Sequence, residues 1–589
     1  MDTYAYLEKY FGYKEFRPLQ ENIINDILAK KDVFVLMPTG GGKSLCYQLP
    51  SIMGNGVTIV VSPLISLMKD QVDALKANGI RAEFLNSSLT ETKQDEILTM
   101  VHKNELRLLY VAPERLMQDR FWMLLEKLAI NFFAIDEAHC ISQWGHDFRP
   151  EYRKLSLLKK TFPHIPIVAL TATATTRVKQ DIVEQLTLEN PTRFQASFNR
   201  PNLTYFIHPK LNSLQTLLTY IKAHKGESGI IYCQSRKTVE GLSKKLQDKG
   251  IFALPYHAGL PDDVRRKNQE DFIKENADII VATIAFGMGI DKPNVRYVFH
   301  YNLPQSLEHY YQETGRAGRD GLPSECVFLY SIADKFFYER FWEQKEIDEK
   351  RIAKQQLQTV ISFAQSTLCR RKQLLHYFGE DYTTPNCQTC DNCLTPQKTF
   401  DATVLAQKIL SCVYRVDQRF GASHIANILA GSQSKSIIEK NHHLLSTFNI
   451  INDYNAYEIK MFMYELLNLG YLKQTDDQYG ILSFTEKSKG VLLGKETVLL
   501  TVIEKQDIPV SKKKDEEIVD QDLFAKLRVL RKRLADEKNV PPYVIFSDAS
   551  LKDMVKNLPQ NEAQFSEIYG VGKEKLKRYS KIFLEEIKN

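Results

Sequence analysis

Val33-Phe34-Val35-Leu36-Met37-Pro38-Thr39-Gly40-Gly41-Gly42-Lys43-Ser44 reads as a buried strand that runs into a glycine turn and then opens a helix. Five apolar residues without a polar interruption need cover on both faces, which is the condition of a strand inside a parallel sheet. Three consecutive glycines let the backbone turn its N–H groups toward an anion. Lys43 then brings a charge to terminal phosphates, and the Ser44 hydroxyl is suited to ligate magnesium. The strict form of this loop has glycine six residues before the lysine, and this chain has Met37 there. A second strand end settles the reading. Phe132-Phe133-Ala134-Ile135 is followed by Asp136-Glu137-Ala138-His139, placing carboxylates where a parallel-sheet nucleotide site needs them. Asp136 is expected to hold the magnesium, and Glu137 to orient or deprotonate the attacking water.

Working outward, Val57–Val61, Leu108–Val111 and Ile167–Leu170 repeat the short apolar run bounded by turn or helix-start residues. A second set follows at Gly229–Cys233, Asp278–Ala282, Tyr297–His300 and Cys326–Leu329. The pattern predicts an α/β fold: two tandem doubly wound parallel-sheet domains over 1–198 and 199–331. After Ser331 the strand rhythm stops. A charged helical stretch with a cysteine cluster is expected over 332–400. Helices and a terminal hairpin over 401–500 suggest a winged helix, with a charged linker over 501–520 and a small all-helical module over 521–589.

The 589 residues are 43% hydrophobic and 25% charged, which excludes a mainly disordered chain. A net charge of +6 is too mild to argue for nucleic acid by itself. The first residues, Met1-Asp2-Thr3-Tyr4-Ala5-Tyr6, carry no basic start followed by an apolar run. No apolar stretch approaches the ~20 residues that span a bilayer, so no membrane partner is expected. Of nine cysteines, Cys369, Cys387, Cys390 and Cys393 cluster. Without a secretion signal such a cluster reads as a metal site in a cytoplasmic protein. Four thiolates match a closed structural zinc site, while Cys-x2-Cys-x2-Cys spacing also occurs around iron–sulfur clusters.

The loop Met37–Ser44 and Asp136–His139 resemble superfamily 2 helicases, and Cys140-Ile141-Ser142-Gln143-Trp144-Gly145-His146-Asp147-Phe148-Arg149-Pro150 resembles the aromatic-rich loop of the RecQ family of DNA helicases. The resemblance implies RecA-like lobes, a zinc module, a winged helix and an HRDC accessory domain. Trp144, His146, Phe148 and Arg149 would meet single-stranded DNA, with the aromatic faces stacking on bases. Phe11–Gln20 is similar to the family's adenine-recognition segment, with Tyr13, Arg17 and Gln20 facing the base and Thr39, Gly40, Gly41, Gly42, Lys43 and Ser44 facing the phosphates. Gln312-Glu313-Thr314-Gly315-Arg316-Ala317-Gly318-Arg319 resembles the arginine-finger motif, implying catalytic roles for Gln312, Arg316 and Arg319 beside Lys43, Asp136 and Glu137. Thr283–Asp291 is similar to a motif touching both nucleotide and strand, with Asp291 on the nucleotide side. Further strand contacts are implied at Pro63, Ser66, Arg115, Ser235, Arg236, His257 and Thr283, and duplex separation at Tyr479 of the wing.

Arg370, Arg371 and Lys372 beside the first cysteine read either as DNA contacts or as a solvated helix face. Ile568–Lys573 reads as a helix joint whose glycines could hold a phosphate, or equally as an ordinary helix connection with a solvated basic face. The implied cofactors are ATP, Mg²⁺ and structural Zn²⁺. The implied partners are single-stranded and partly duplex DNA, and the acidic tail of single-strand-binding protein on the winged helix. The implied role is 3′-to-5′ unwinding in recombination, repair and the SOS response, in the cytoplasm and associated with the nucleoid. The motor motifs alone also fit an RNA helicase, and a duplex-binding scaffold with a switching ATPase.

Overall fold

The computed structural model describes all residues except 1, 64, 87–88, 143–147, 175, 211, 288–291, 343–346, 367, 385, 396–398, 475–480, 502–519 and 589. The chain divides into two compact units. One comprises Met1–Ser331, Arg371–Thr389 and Val510–Asn589, and the other Ile332–Arg370 and Cys390–Pro509.

The first unit holds two parallel sheets, as the alternation of apolar runs and helices requires. The first lobe contains β1 (Val33–Leu36), β2 (Val57–Val61), β3 (Ala82–Leu85), β4 (Leu108–Val111), β5 (Ile130–Ile135), β6 (Ile167–Thr171) and β7 (Thr192–Gln195), in the order β3-β4-β2-β5-β6-β1-β7. Side chains along β1 alternate between two cores: Phe34 and Leu36 enter one, Val33 and Val35 the other. That alternation is the period-2 geometry of a strand covered on both faces. The second lobe contains β8 (Leu203–Pro209), β9 (Ser228–Tyr232), β10 (Ala253–Tyr256), β11 (Ile279–Ala282), β12 (Val295–His300) and β13 (Ser324–Tyr330), ordered β10-β11-β9-β12-β13-β8. In β9, Gly229 makes room for Tyr297 of β12, since a Cβ there would fall 1.9 Å from the tyrosine ring.

The helices Gln521–Glu537, Asp548–Asn557 and Lys573–Lys588 enclose a small core around Phe546. This C-terminal domain packs on both lobes. Arg531, fully buried, donates to Phe546 O at 3.0 Å, to Asp548 Oδ1 at 2.7 Å and to Glu275 Oε1 of the second lobe at 3.3 Å. Toward the first lobe, Lys14 pairs with Glu567, and the Tyr13 and Tyr569 rings lie 5.2 Å apart. The Gly570 N–H donates to Gly12 O at 3.3 Å. The glycine joint read as a phosphate holder is therefore an interdomain contact: its amide is taken by the first lobe's backbone.

In the second unit, helices Thr403–Arg415, Ala422–Leu429 and Ala456–Asn468 bury an apolar core of Ile409, Ile425, Phe462 and their neighbours. An antiparallel hairpin of Leu472–Gln474 and Leu482–Phe484 follows, then the helix Glu486–Leu492. Thr399–Asp401 pairs antiparallel with Leu499–Thr501 and ties the two ends of this domain together. The hairpin tip with Tyr479 and the linker lie outside the described residues. Among the described residues, no helix is long and apolar enough to cross a membrane.

Candidate active site

The glycine turn after β1 and the arginine-bearing loop before β13 meet at one cavity of about 780 Å³. Its lining includes Tyr13, Arg17, Gln20, Thr39, Gly40, Gly42, Lys43, Ser44, Asp136, Glu137, Gln312, Arg316 and Arg319. That size suits a nucleotide. The helix Lys43–Met53 begins at Gly42, whose backbone is left-handed (φ 88°) and which offers no side-chain cap, so the first amides of the helix stay available to an anion. Among the buried polar atoms here, Lys43 Nζ and Thr39 Oγ1 make no hydrogen bond. Lys43 Nζ stands 3.8 Å from Glu137 Oε1, a distance for charge attraction without a hydrogen bond. Buried groups are rarely left unsatisfied unless a ligand completes them, so these residues fit the phosphates and magnesium that the sequence implies.

Asp136 follows directly from β5. Burial raises its carboxyl above the usual carboxylate range, and the neighbouring Glu137 adds to the rise, while Lys43 pulls it down. Glu137 has a left-handed backbone (φ 48°), unusual outside glycine, and its N–H donates to Asp136 Oδ1 at 3.0 Å. His139 Nδ1 lies 3.2 Å from Glu137 Oε2 and 2.9 Å from Thr171 Oγ1. Thr171 Oγ1 donates to Thr173 O at 3.2 Å, and Gln312 Nε2 of the second lobe donates to Thr173 Oγ1 at 2.9 Å. A continuous polar chain thus runs from the carboxylate to the arginine-bearing loop.

That loop is braced from behind. Arg296 NH2 donates to both carboxylate oxygens of Asp320, each at 2.7 Å, and the Asp320 side chain is 1% exposed. Asp320 directly follows Arg319, so this buried ion pair, in which one guanidinium nitrogen spans both carboxylate oxygens, fixes the end of the loop.

Several expected residues are already engaged within the chain, and two readings are corrected. Gln20 lines the cavity; its Oε1 accepts from the Arg17 N–H at 2.8 Å and its Nε2 donates to Gly42 O at 3.1 Å, which leaves one lone pair and one N–H of the amide. Arg17 also reaches inward, to Gly40 O. His257 is 2% exposed, with Nε2 3.1 Å from Glu240 Oε1 and Nδ1 accepting from the Gly259 N–H. Arg370 and Arg371 are neither DNA contacts nor a solvated face, at 2% and 4% exposure. Arg370 pairs with Asp391 at 3.0 Å, and Arg371 donates to Asn199 Oδ1, Arg200 O and Leu203 O. Burial of an arginine requires such fixed acceptors, and these come from distant residues.

Among the residues expected to meet the strand, Arg149 NH1 donates to Pro63 O at 2.9 Å, which brings those two together, and Arg153 lies over the Phe148 ring at 5.1 Å. Arg115 is bound to Gln94 and Gln118, while Arg236 is exposed at the start of the helix Arg236–Gln247. Thr283 follows β11, its Oγ1 3.4 Å from the Ala285 N–H. Trp144, His146 and Asp291 lie outside the described residues, as does the Ser66 side chain.

Of the four clustered cysteines, Cys369, Cys390 and Cys393 of the second unit carry sulfurs within 4.8 Å of one another. Tetrahedral zinc with four thiolates separates its ligand sulfurs by roughly 3.8 Å, so the cluster fits a structural zinc site.

Family models match the chain in sequence order: DEAD/DEAH box helicase over 17–182, helicase conserved C-terminal domain over 209–321, RecQ zinc-binding over 332–394, RQC domain over 396–509 and HRDC domain over 520–587. The chain is 46% identical over 584 residues to the ATP-dependent DNA helicase RecQ of Haemophilus influenzae, covering 98% of this chain and 94% of that one. The chain belongs to the RecQ family. It is also 44% identical to the RecQ of Pasteurella multocida, covering 99% of this chain and 93% of the relative, and 40% identical to that of Bacillus subtilis, covering 99% and 97%. In this RecQ protein the zinc-binding match decides between zinc and an iron–sulfur cluster. Sequence reasoning missed Arg296, Arg200 and the approach of Tyr569 to Tyr13. Each depends on a partner far away in sequence, and no local spacing marks them.

Proposed function

We propose that this RecQ protein is an ATP-dependent DNA helicase that moves 3′ to 5′ along single-stranded DNA and separates the duplex ahead, in DNA recombination and repair. The observation that carries this reading is the convergence of Lys43, Asp136, Glu137, Gln312, Arg316 and Arg319 on one cavity between the lobes. Lys43 and the amides after Gly42 bind the β- and γ-phosphates. Glu137, turned by its left-handed backbone and held near His139, takes the proton of the attacking water. Arg319 stabilises charge on the transferred phosphoryl group, and Arg316 holds the phosphates beside it. Ser44 and Asp136 would hold Mg²⁺, which when bound neutralises charge developing between the phosphates. Opening and closing of the cleft moves a strand held by Arg149, Phe148 and Arg236.

The working divisions proposed are 1–198 and 199–331 for the lobes, 332–400 for the zinc module, 401–500 for the winged helix, 501–520 for the linker and 521–589 for the HRDC domain. The acidic tail of single-strand-binding protein is proposed as a partner of the winged helix, and the nucleoid of the cytoplasm as the place of action.

The test is strand release from a 3′-tailed DNA duplex with ATP and Mg²⁺, run beside a 5′-tailed duplex and a matched RNA duplex. Release confined to the 3′-tailed DNA is expected. Equal release of RNA would point to an RNA helicase, and DNA-stimulated hydrolysis without release would point to a switching scaffold. For the metal, Cys390→Ser is expected to remove bound zinc, read by atomic spectroscopy, and to lower the melting temperature.

A further inference from the structure

The segment joining the lobes carries one charged side chain that reaches both nucleotide loops. Arg200 is 8% exposed. Its NH1 donates to Thr39 O, in the phosphate loop of the first lobe, at 2.5 Å and to Gly315 O, in the arginine-bearing loop of the second, at 3.3 Å. Its NH2 donates to Ala317 O at 3.0 Å and Gly318 O at 2.8 Å. One planar guanidinium therefore gathers four backbone carbonyls from two loops more than 270 residues apart in the chain. A lysine could not do this, because its donors lie on a single point charge at the end of a flexible stem.

The glycines around it show how closely the loops approach. A Cβ on Gly315 would fall 2.1 Å from Thr39 Oγ1. A Cβ on Gly40 would meet Arg200 NH1 at 3.1 Å and Arg319 Cα at 3.4 Å. Arg319 is thus set directly against the phosphate loop, and Arg200 fills the junction. Arg200 is fixed in turn: Arg371 donates to Arg200 O at 2.6 Å and to Asn199 Oδ1 at 2.6 Å. A buried guanidinium is costly unless its donors are satisfied. The arrangement that satisfies them is the one in which the two loops touch.

We propose that Arg200 is a positioning residue for ATP hydrolysis, which ties the phosphate loop to the arginine-bearing loop and so sets Arg319 on the γ-phosphate. It touches no substrate in this role; it acts through Arg319. The inference rests on the assignment of Arg319 as the transition-state arginine.

The test is a double-mutant cycle in the full chain, using Arg200→Ala, Arg319→Ala and the pair, with DNA-stimulated ATPase kinetics and the affinity for a fluorescent ADP analogue. Arg200→Ala is expected to lower kcat roughly 10²-fold while KM for ATP and ADP affinity change less than about threefold. In the Arg319→Ala background the same substitution is expected to cost less than about threefold, since its route to the chemistry is already gone. Arg200→Lys should recover little, because charge without the planar fork cannot hold four carbonyls. Multiplicative losses in the pair would overturn the proposal, as would a loss confined to KM. Wild-type hydrolysis by Arg319→Ala would sink the arginine assignment itself. An inactive Arg319→Ala beside a normal Arg200→Ala would sink only the proposal. If Arg200→Ala does not fold, Gly315→Ala decides the matter, because its methyl group would part the loops with Arg200 in place. A fall in kcat is then expected, and unchanged turnover would overturn the proposal.

Discussion

The two lobes share a parallel sheet covered on both faces, yet only the first is built to receive phosphates. The helix after β1 starts at Gly42 without a side-chain cap, whereas the helix Arg236–Gln247 after β9 is capped by Ser235, whose Oγ accepts from the Thr238 N–H at 3.1 Å. A capping hydroxyl satisfies the amides that an anion would otherwise bind. The first lobe leaves Lys43 Nζ and Thr39 Oγ1 without a hydrogen bond beside the phosphate loop, while in the second lobe His257 is held by Glu240 and Gly259, and Arg296 holds Asp320. The division of labour follows. One lobe offers vacant donors, and the other offers two arginines on a braced loop that completes the first lobe's site.

The largest effect expected from this contrast lies in the contribution of the second lobe. Arg319→Ala should reduce kcat by roughly 10³-fold or more with ADP affinity nearly intact. Steady-state hydrolysis with ADP titration checks this, and parallel loss of binding would mean that the arginine belongs to the ground-state site. Glu137→Gln should likewise abolish most turnover while retaining nucleotide and DNA binding, read by single-turnover hydrolysis; normal hydrolysis would remove Glu137 as the base. A cap transplanted into the first lobe comes next. Gly42→Ser places a side chain where Gln20 Nε2 would be 2.4 Å from its Cβ and where the backbone is left-handed, so nucleotide affinity should fall about 10²-fold by calorimetry.

The reciprocal change is smaller. Ser235→Ala should lower stability by about 1 kcal/mol in denaturant unfolding while ADP affinity stays in place. A fall in ADP affinity would break the contrast.

The smallest effect is a pH dependence peculiar to the second lobe. Burial disfavours charged His224, but its contacts with Glu227 at 2.8 Å and Glu325 at 3.5 Å outweigh this and lift its pKa from 6.5 to about 9. A raised pKa means that the folded state holds the proton more tightly. The stabilisation is therefore complete below about 6.5 and is lost as pH rises through about 9. Part of the site is solvated, so about 1 kcal/mol is expected. Unfolding of the wild type and His224→Gln between pH 6 and 10 should show the difference shrinking with pH, and a constant difference would contradict it.

The fold class, the zinc-binding cysteines and the two loops that line the cavity were all legible in the sequence. Each is written in a short contiguous stretch: an apolar run, a glycine turn with Lys43 and Ser44, Asp136 beside Glu137, and arginines three apart. Local backbone chemistry is enough to read these, because the same few residues make the structure and the function. The sequence misplaced Arg370 and Arg371 for one reason. A polar side chain reads as available until its partners are known, and theirs come from elsewhere in the fold: Asp391, and Arg200 with Leu203. Long-range packing alone buries Arg531 against Glu275, brings the glycine joint at Gly570 to Gly12, and lets Arg200 span two loops. Packing supplies the acceptors for a buried charge, and packing brings together residues hundreds of positions apart.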